Sequence, residues 1–264
     1  MLISHYTTYD VLINHVIPSR KLRFSSLSRL NDPHERQKRA SRLFTTSSDT
    51  EDDVRIFSEA RRVRENGIKV FCSSAFVDDD DLFNCKSSHI SPMWAHYSRV
   101  FDNENDNRGC VLIIDEGKLI SAISSQIKII KNRFVEYVPY GVPIQGVVSE
   151  FLGNPTKEEI ISKICEGAEK VWFKKSDQWK YECEYRIVVY DEAPDYYYFN
   201  ISDSIVGVAV DCKSFNALSD SKRDIMKSMG VPLICTYYRP EVGAYKTNKY
   251  PAIGVQHHSL DIHQ

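Results

Sequence analysis

The sequence contains no apolar run that approaches the ~18 residues of a membrane-spanning helix. Its first six residues, MLISHY, lack the basic start and the apolar stretch of a secretory signal peptide. The seven cysteines are dispersed and odd in number, so a reducing compartment explains them better than a disulfide framework does. We therefore expect a cytoplasmic protein with no membrane partner.

An excess of one charge is also missing, because 34 basic and 36 acidic residues leave a formal net charge of −2. This balance argues against a protein that coats nucleic acid electrostatically. It does not exclude a local basic patch that grips a nucleic-acid substrate.

Several common catalytic and metal-binding motifs are absent. The sequence has no glycine-rich phosphate loop, no G-x-S-x-G, no H-E-x-x-H and no C-x-x-C. Cys85, His89 and His96 are near one another in the chain, but their spacing fits no standard zinc pattern. The sequence therefore predicts a site without a metal ion.

What the chain does have is enough apolar residues, 42% of 264, to bury a substantial core. Neither an internal repeat nor a linker divides it, so residues 1–264 are interpreted as a single domain. Strands scattered among helices, without a βαβ rhythm, predict an α+β fold. The predicted strands span residues 2–6, 21–25, 68–76, 110–114, 185–190 and 205–210, and the predicted helices span residues 8–16, 92–99, 156–173 and 219–229, with one more ending near residue 66.

Local chemistry predicts where several elements begin and end. Thr7, with Asp10 three residues later, has the pattern of a helix cap, and Pro18 is expected to end that helix. Thr156 and Glu159 match a second capping box. Residues 31–33, 45–53 and 103–109 are predicted to be a turn, a loop and a hairpin-like connection.

Charged residues alternate at Glu182, Glu184 and Arg186. In an extended chain alternate residues lie on one face, so these three side chains are expected on the same face of a strand. That face is either a solvated surface with an ordinary ion pair or half of a polar active site. In the second case, Arg186 holds one carboxylate while the other faces a proton or a developing cation.

Two other segments contain side chains suited to a site. His5 lies at the end of the first predicted strand, just before a helix. Met93, His96 and Tyr97 are spaced i, i+3, i+4 on one helix face, a pattern that is more often core packing than a cofactor site. We predict that Trp94 is buried and that His96 or Tyr97 approaches the site from this helix.

Blocks of residues occur along the chain in one order: HYT at 5–7, LRFSS at 22–26, NDPHE at 31–35, FCS at 71–73, MWAHY at 93–97, Gly109 before a strand, and WKYECEYR at 179–186. Together they resemble the bacterial domain-of-unknown-function family 2971. The resemblance extends from residue 2 to about residue 212, and it implies no activity.

A second resemblance is to the ADP-ribosyltransferase superfamily. The diphtheria-toxin and poly-ADP-ribose-polymerase branch opens with a histidine on the first core strand, which His5 matches. It closes with a glutamate at the start of a later strand, which Glu184 matches, while Glu182 resembles the paired glutamates of the arginine-modifying branch. No tyrosine corresponds clearly to the middle motif. The resemblance implies a split mixed or antiparallel sheet with flanking helices.

The second resemblance also implies an enzyme that uses NAD as substrate. Such an enzyme transfers ADP-ribose to a nucleic acid or protein, or hydrolyses NAD, and acts as a toxin or phage-defence effector with a possible antitoxin partner. Its implied catalytic residues are Glu184, beside an oxocarbenium-like cation, and Glu182. Among the implied NAD-binding residues, His5 donates hydrogen bonds to the ribose. The others are Tyr6, Thr7, Ser25, Ser26, Ser73, His96, Tyr97 and Arg186. Either serine pair, 25–26 or 73–74, could be the superfamily's serine motif.

Two functions of other classes stay open. One is a nucleic-acid hydrolase that uses Glu182, Glu184 and Arg186 with His96, and the other is a catalytically silent interaction module. If the NAD interpretation holds, His5 and Glu184 must face one cleft. Glu184→Gln is then expected to lower the rate by ~10²–10³ and to cost only about 1 kcal/mol of stability.

Overall fold

The computed structural model describes residues 1–26, 29–30, 51–97, 109–141, 155–192, 196–201, 203–239 and 244–248. Strands at all six predicted positions are confirmed, and further strands lie between them and after the last of them. The strands are β1 Leu2–Thr8, β2 Lys21–Ser26, β3 Ile68–Ala75, β4 Gly109–Asp115, β5 Ile129–Phe134, β6 Glu136–Val138, β7 Lys174–Ser176, β8 Glu184–Tyr190, β9 Tyr196–Asn200, β10 Ile205–Asp211, β11 Leu233–Arg239 and β12 Ala244–Asn248.

The helices pack against the sheet formed by these strands. Helix α1 is composite, with α-helical Tyr9–Val11, a π-helical turn at Leu12–Val16 and α-helical Ile17–Ser19. The others are α2 Glu51–Arg62 with a π-helical turn at Val63–Gly67, α3 Ser91–Tyr97, α4 Glu116–Ser124, α5 Lys157–Val171, α6 Cys212–Asn216 and α7 Asp220–Lys227. Among the described residues, no helix is both long and apolar enough to cross a membrane.

Ten strands of the described chain form one mixed sheet. Its main path runs β12-β11-β10-β4-β1-β3-β2-β9, and off this path β8 pairs with β3 and with β5. The β10–β11 pair is parallel, whereas the other pairs in this sheet are antiparallel. Strands β6 and β7 form a separate parallel pair. The predicted combination of a mixed sheet with flanking helices is therefore confirmed.

The sheet splits along one edge of β3. Ser74 of β3 pairs with Ser4 of β1 on this edge and with Glu184 of β8 on the other. Four residues earlier, Val70 pairs with Ser25 of β2 on the same edge as β1. Between these two points no described strand pairs with that edge of β3, so β1 and β2 diverge and leave a gap.

Apolar residues pack on both faces of the sheet, and β8 illustrates the alternation. Tyr185, Ile187 and Val189 join the core formed with α1 and α4, whereas Val188 joins the core formed with α2 and α5. Because side chains alternate along a strand, Glu184 and Arg186 lie on the same face as Val188. Two charged residues are thus directed toward the α5 side of the molecule.

The predicted limits of the first helix are wrong by one residue at its start and by three at its end. Thr8, not Thr7, is the cap, and its Oγ1 accepts a hydrogen bond from the backbone N–H of Val11. The helix continues through Pro18 to Ser19 and ends at Arg20, where φ is 53°. The π-helical turn before Pro18 changes the local hydrogen-bond pattern, so the missing N–H of proline does not end the helix.

The other local predictions have mixed outcomes. The Thr156–Glu159 capping box is confirmed, because each residue's backbone N–H donates to the side chain of the other. Residues 51–53, predicted as loop, begin α2. Residues 31–33, 45–50, 98–99 and 103–108, for which a turn, a loop, a helix end and a connection were predicted, lie outside the described residues.

Candidate active site

A cleft of about 570 Å³ opens where β1 and β2 diverge along β3. His5 of β1, Ser25 of β2 and Ser73 of β3 contribute to its walls, as do both Glu182 and Glu184. The prediction that His5 and Glu184 face one cleft is therefore confirmed. The volume lies within the roughly 300–1,000 Å³ of small-molecule sites in proteins.

His5 reaches across the gap between β1 and β3. Its Nδ1 lies 3.0 Å from the carbonyl oxygen of Cys72, and its ring packs on Phe71 with 4.9 Å between the centroids. A carbonyl oxygen only accepts, so Nδ1 carries the hydrogen and Nε2 of the neutral ring is left as an acceptor. Burial lowers the pKa of His5, which keeps the ring neutral. From the sequence, His5 was expected to donate a hydrogen bond to a ribose. The direction of that bond is the opposite, since Nε2 would accept from a ligand hydroxyl.

Four buried charged side chains, Lys175, Glu182, Glu184 and Arg186, form what we call the glutamate cluster. Lys175 Nζ lies 2.5 Å from Glu182 Oε2 and 3.1 Å from Glu184 Oε2. Arg186 binds Glu184 through two bonds, Nε to Oε1 at 2.6 Å and Nη2 to Oε2 at 2.9 Å. Each of the four residues is at most 5% exposed. Two positive and two negative groups can share this environment because each has a partner.

Aromatic and backbone groups complete the surroundings of the cluster. Tyr97 donates from its hydroxyl to Glu182 Oε1 at 2.9 Å, and the backbone N–H of Glu184 donates to the Tyr137 hydroxyl at 2.8 Å. Arg186 Nη1 donates to the carbonyl oxygen of Trp172 at 2.7 Å. Lys175 Nζ lies 4.9 Å from the centre of the Trp179 ring, which lines the cleft.

The two carboxyl groups have opposite pKa shifts. Burial raises the pKa of Glu182, and Lys175 offsets this effect only in part. Burial also acts on Glu184, but the attraction of Arg186 and Lys175 outweighs it and holds the pKa of that carboxyl below its usual range. Glu184 is therefore a permanent anion at neutral pH, while Glu182 is the better suited of the two to exchange a proton.

The predicted strand face is wrong in two respects. Glu182 ends a 3₁₀ helix, Asp177–Glu182, and Cys183 follows with φ of 46°, so that only Glu184 and Arg186 belong to β8. The left-handed conformation of Cys183 interrupts the alternation on which the prediction relied. The alternative of a solvated strand face is also wrong, because the cluster is buried. Lys175 nevertheless bridges the two glutamates.

Most of the side chains predicted for the site line the cleft, although their roles stay predictions. Ser26, His96 and Arg186 do not line it. Ser26 is buried because it alternates with Ser25 on β2. His96 is exposed on α3 and stacks on Tyr181 at 5.8 Å. Arg186 is 0% exposed behind Glu184, so it cannot reach a ligand's pyrophosphate. The predicted residues that line the cleft are His5, Tyr6, Thr7, Ser25, Ser73, Tyr97, Glu182 and Glu184.

The prediction for α3 is confirmed for two residues. Trp94 is 3% exposed, and its Nε1 donates to the carbonyl oxygen of Ser88. Tyr97 lines the cleft, and its hydroxyl donates to Glu182 there. The helix therefore contributes both to core packing and to the candidate site, because Trp94 and Met93 pack in a core while Tyr97 contacts the glutamate cluster.

Sequence patterns did not indicate Lys175, Tyr137 or Trp179. The parallel pairing of β6 with β7 sets Tyr137 opposite Lys175, which brings both residues to the cluster. Two such short strands, three residues each, carry no recognisable periodicity. The tryptophan beside the charged run was a usable signal, since Trp179 lies only three residues before Glu182.

One hydroxyl in the cleft wall is left without a bond inside the described part of the protein. Ser74 Oγ is buried and has no hydrogen-bond partner there, whereas Ser73 Oγ donates to the carbonyl oxygen of Tyr185. A buried hydroxyl without a partner is costly, so Ser74 is suited to bind a polar ligand. Across the described ranges, no group of three or more His, Cys, Asp or Glu side chains is positioned to hold a metal ion.

Comparison with known proteins bears on one part of the chain. No curated protein and no solved structure matches it. A family model described as "Protein of unknown function (DUF2971)" matches residues 93–187. The matched segment runs from α3 into β8 and so contains Tyr97 and all four residues of the glutamate cluster, whereas β1 and β2 lie outside it. The match supports the resemblance of the chain to domain-of-unknown-function family 2971.

Proposed function

We propose that this protein cleaves NAD at the bond between nicotinamide and ribose and transfers the ADP-ribose to an acceptor. One observation carries the proposal: His5, neutral, and Glu184, ionised, line the same cleft where the sheet splits. The two residues are far apart in sequence, and each was expected at such a cleft from the resemblance to ADP-ribosyltransferases.

The chemistry requires a fixed negative charge beside the ribose. Breaking the bond to nicotinamide builds positive charge on the sugar, and a preorganised carboxylate stabilises that charge most effectively away from water. Glu184 fits this role because its low pKa keeps it ionised and its two bonds to Arg186 hold it in one orientation. Arg186 is thus a positioning residue.

Glu182 fits a different role in the same reaction. Its raised pKa brings it closer to the range in which a carboxyl exchanges protons at neutral pH. It is positioned to take the proton of the acceptor, or of water if the enzyme hydrolyses NAD. Lys175 and Tyr97 hold it in place.

The remaining polar groups of the cleft are suited to orient the substrate. Nε2 of His5 accepts from a ribose hydroxyl, and the hydroxyl of Ser74 offers both a donor and an acceptor. An enzyme of this kind would work in the cytoplasm, where NAD is available, as a toxin or phage-defence effector.

The alternative function, a nucleic-acid hydrolase, was expected to use His96 together with the two glutamates. His96 is exposed on α3 and does not line the cleft, so the site lacks the histidine that this reaction would need. No second function is proposed for this site.

The direct test incubates the purified full chain with NAD and measures free nicotinamide by chromatography. We expect release by the wild type and a rate lower by ~10²–10³ for Glu184→Gln. Glu158→Gln, an exposed glutamate on α5, is the matched control and should keep the wild-type rate. Absence of nicotinamide release would reject the activity, and a wild-type rate in Glu184→Gln would reject the catalytic residue.

A further inference from the structure

Basic and aromatic side chains share one face of β2 and β9. The antiparallel register sets Arg23 opposite Tyr198, Ser25 opposite Tyr196 and Lys21 opposite Asn200, and directly opposite residues lie on the same face. Lys21, Arg23, Arg29 and Tyr198 also line the cleft. We call Lys21, Arg23, Arg29, Tyr196 and Tyr198 the β2–β9 platform.

Two guanidinium groups of the platform contact one tyrosine ring, and the other tyrosine ring is available. The guanidinium carbon of Arg23 lies 4.3 Å from the centre of the Tyr196 ring, and that of Arg29 lies 6.0 Å from it. These cation–π contacts orient the planar guanidinium groups, which bind phosphate oxygens bidentately. Tyr198, beside Arg23, is 55% exposed, so its ring can stack with another planar group.

The positive charges of Lys21 and Arg23 on the platform are not balanced by ion pairs with carboxylates in the described part of the protein, whereas those of the glutamate cluster are. The two carboxylates that line the cleft, Glu182 and Glu184, are bound to Lys175 and Arg186. An anion that enters the cleft is therefore attracted to the platform rather than to the cluster.

We propose that the β2–β9 platform binds single-stranded nucleic acid, which is the acceptor of the ADP-ribose. A base stacks on Tyr198 while Arg23 and Lys21 bind phosphates. The two rings of β9 lie two residues apart, about 6.6 Å along the strand. Stacking on a tyrosine requires a base that is not paired in a duplex, so we expect a single strand rather than a duplex.

Two features favour a polynucleotide over the dinucleotide substrate itself. Strand β9 pairs only with β2 among the described strands, so the platform lies at the edge of the sheet and a chain can continue past it into solvent. On β3, Val70 pairs with Ser25 of β2, and Ser74 pairs with Glu184 of β8. Val70 and Ser74 are four residues apart, which is about 13 Å along the strand. A strand held on the platform thus reaches Glu182 and Glu184 with a neighbouring nucleotide.

The name "acceptor" rests on the proposed function, whereas binding to the platform does not. In the transfer, a hydroxyl oxygen or ring nitrogen of the strand forms a bond to C1′ of the ribose as the bond to nicotinamide breaks. Nicotinamide leaves as a neutral molecule with the bonding electron pair, and the proton of the nucleophile passes to Glu182.

The test measures binding of fluorescein-labelled single-stranded RNA and DNA to the full chain by fluorescence anisotropy. Tyr198→Ala should weaken binding by about 5- to 150-fold, the range of one base–aromatic stack, and Tyr198→Phe should restore it. Arg23→Ala should weaken binding and reduce the slope of log K against log salt concentration by about 0.7. Tyr140→Ala and Lys118→Ala, exposed residues outside the cleft wall, are the controls.

Each outcome separates the platform from the activity. Weaker binding of Tyr198→Ala with a smaller change in its KM for NAD supports the proposal, whereas equal losses assign Tyr198 to the dinucleotide and overturn it. Nicotinamide release without oligonucleotide binding, or equal affinity for duplex and single strand, also overturns it. Oligonucleotide binding without nicotinamide release keeps the platform and rejects the proposed function. When both occur, a radiolabel transferred from NAD to the oligonucleotide identifies the acceptor.

Discussion

Replacing Glu184 by Gln tests the glutamate cluster most directly, because the change removes one charge and keeps the size of the side chain. Both carboxylate oxygens of Glu184 accept from Arg186, at 2.6 and 2.9 Å, and one also accepts from Lys175 at 3.1 Å. Gln keeps one accepting oxygen. Arg186, which is 0% exposed, then loses the negative charge of Glu184 and keeps the carbonyl oxygen of Trp172 as a partner.

The expected cost follows from the loss of this negative charge beside Arg186. Removing one partner of a buried ion pair costs about 3–5 kcal/mol, since the remaining charge stays buried. Lys175 keeps Glu182 as its partner, and the Gln oxygen still accepts from Arg186, so we expect the lower end, about 3 kcal/mol. This value replaces the loss of about 1 kcal/mol expected from the sequence, which treated the carboxylate as a strained catalytic group and not as the partner of a buried arginine.

Urea unfolding at pH 7 of the wild type, Glu184→Gln, Arg186→Met and the double variant measures the effect. We expect the double variant to be more stable than the sum of the two single changes predicts, with a coupling of about 2–3 kcal/mol. The exposed Glu158→Gln control should stay within about 0.5 kcal/mol of the wild type. A loss below about 1 kcal/mol for Glu184→Gln, with additive effects in the double variant, would refute the bidentate pair.

Three more predictions use other properties of the fold. Because the pKa of Glu184 is lowered on folding, its contribution to stability is present above its unfolded pKa and is lost as the pH falls toward the folded value. In urea unfolding, the free energy of unfolding should therefore fall more steeply with decreasing pH in the wild type than in Glu184→Gln, and equal slopes would contradict this. Tyr97→Phe removes a hydrogen bond that lowers the pKa of Glu182, so the acid limb of the pH–rate profile should move to higher pH, and an unmoved limb would argue against Glu182 as base. Gly67→Ala would set a Cβ 2.5 Å from Cε2 of Tyr190, and thermal unfolding should report a loss of about 1–3 kcal/mol; an unchanged midpoint would show that the ring moves freely.

The strands that sequence patterns identified are those with buried, β-branched runs. Strands β4, β8 and β10 contain stretches such as VLII and IVVY, and nearly all their residues are buried. Strands β5, β6, β7, β9 and β11 were not predicted, because their residues are mostly half-buried or exposed and show no strong alternation of apolar and polar side chains. Strand β12 was not predicted either. The cleft lies between elements of both kinds.

Only those residues of the candidate site that are close together in the sequence could be predicted to lie side by side. Glu184 and Arg186 share a strand face because they are two residues apart on β8, which a sequence indicates directly. Lys175 and Tyr137 meet the same carboxylates through the pairing of β6 with β7. Such pairing depends on the tertiary fold, so no spacing in one sequence could have named them.

The opposite pKa shifts of Glu182 and Glu184 show why residue type and spacing do not determine the chemistry of a pair. Both carboxyls are buried and both are bound by Lys175, so burial and the lysine alone would affect them similarly. Arg186 makes the difference, because it lies on the same strand face as Glu184 and binds that carboxylate. Glu182 precedes the left-handed residue Cys183, lies outside β8 and accepts from the neutral hydroxyl of Tyr97. One carboxylate is thereby fixed as an anion and the other is able to exchange a proton. A reaction that needs both a stabilising charge and a base can draw on these two residues, and a substitution at Arg186 should remove the distinction between them.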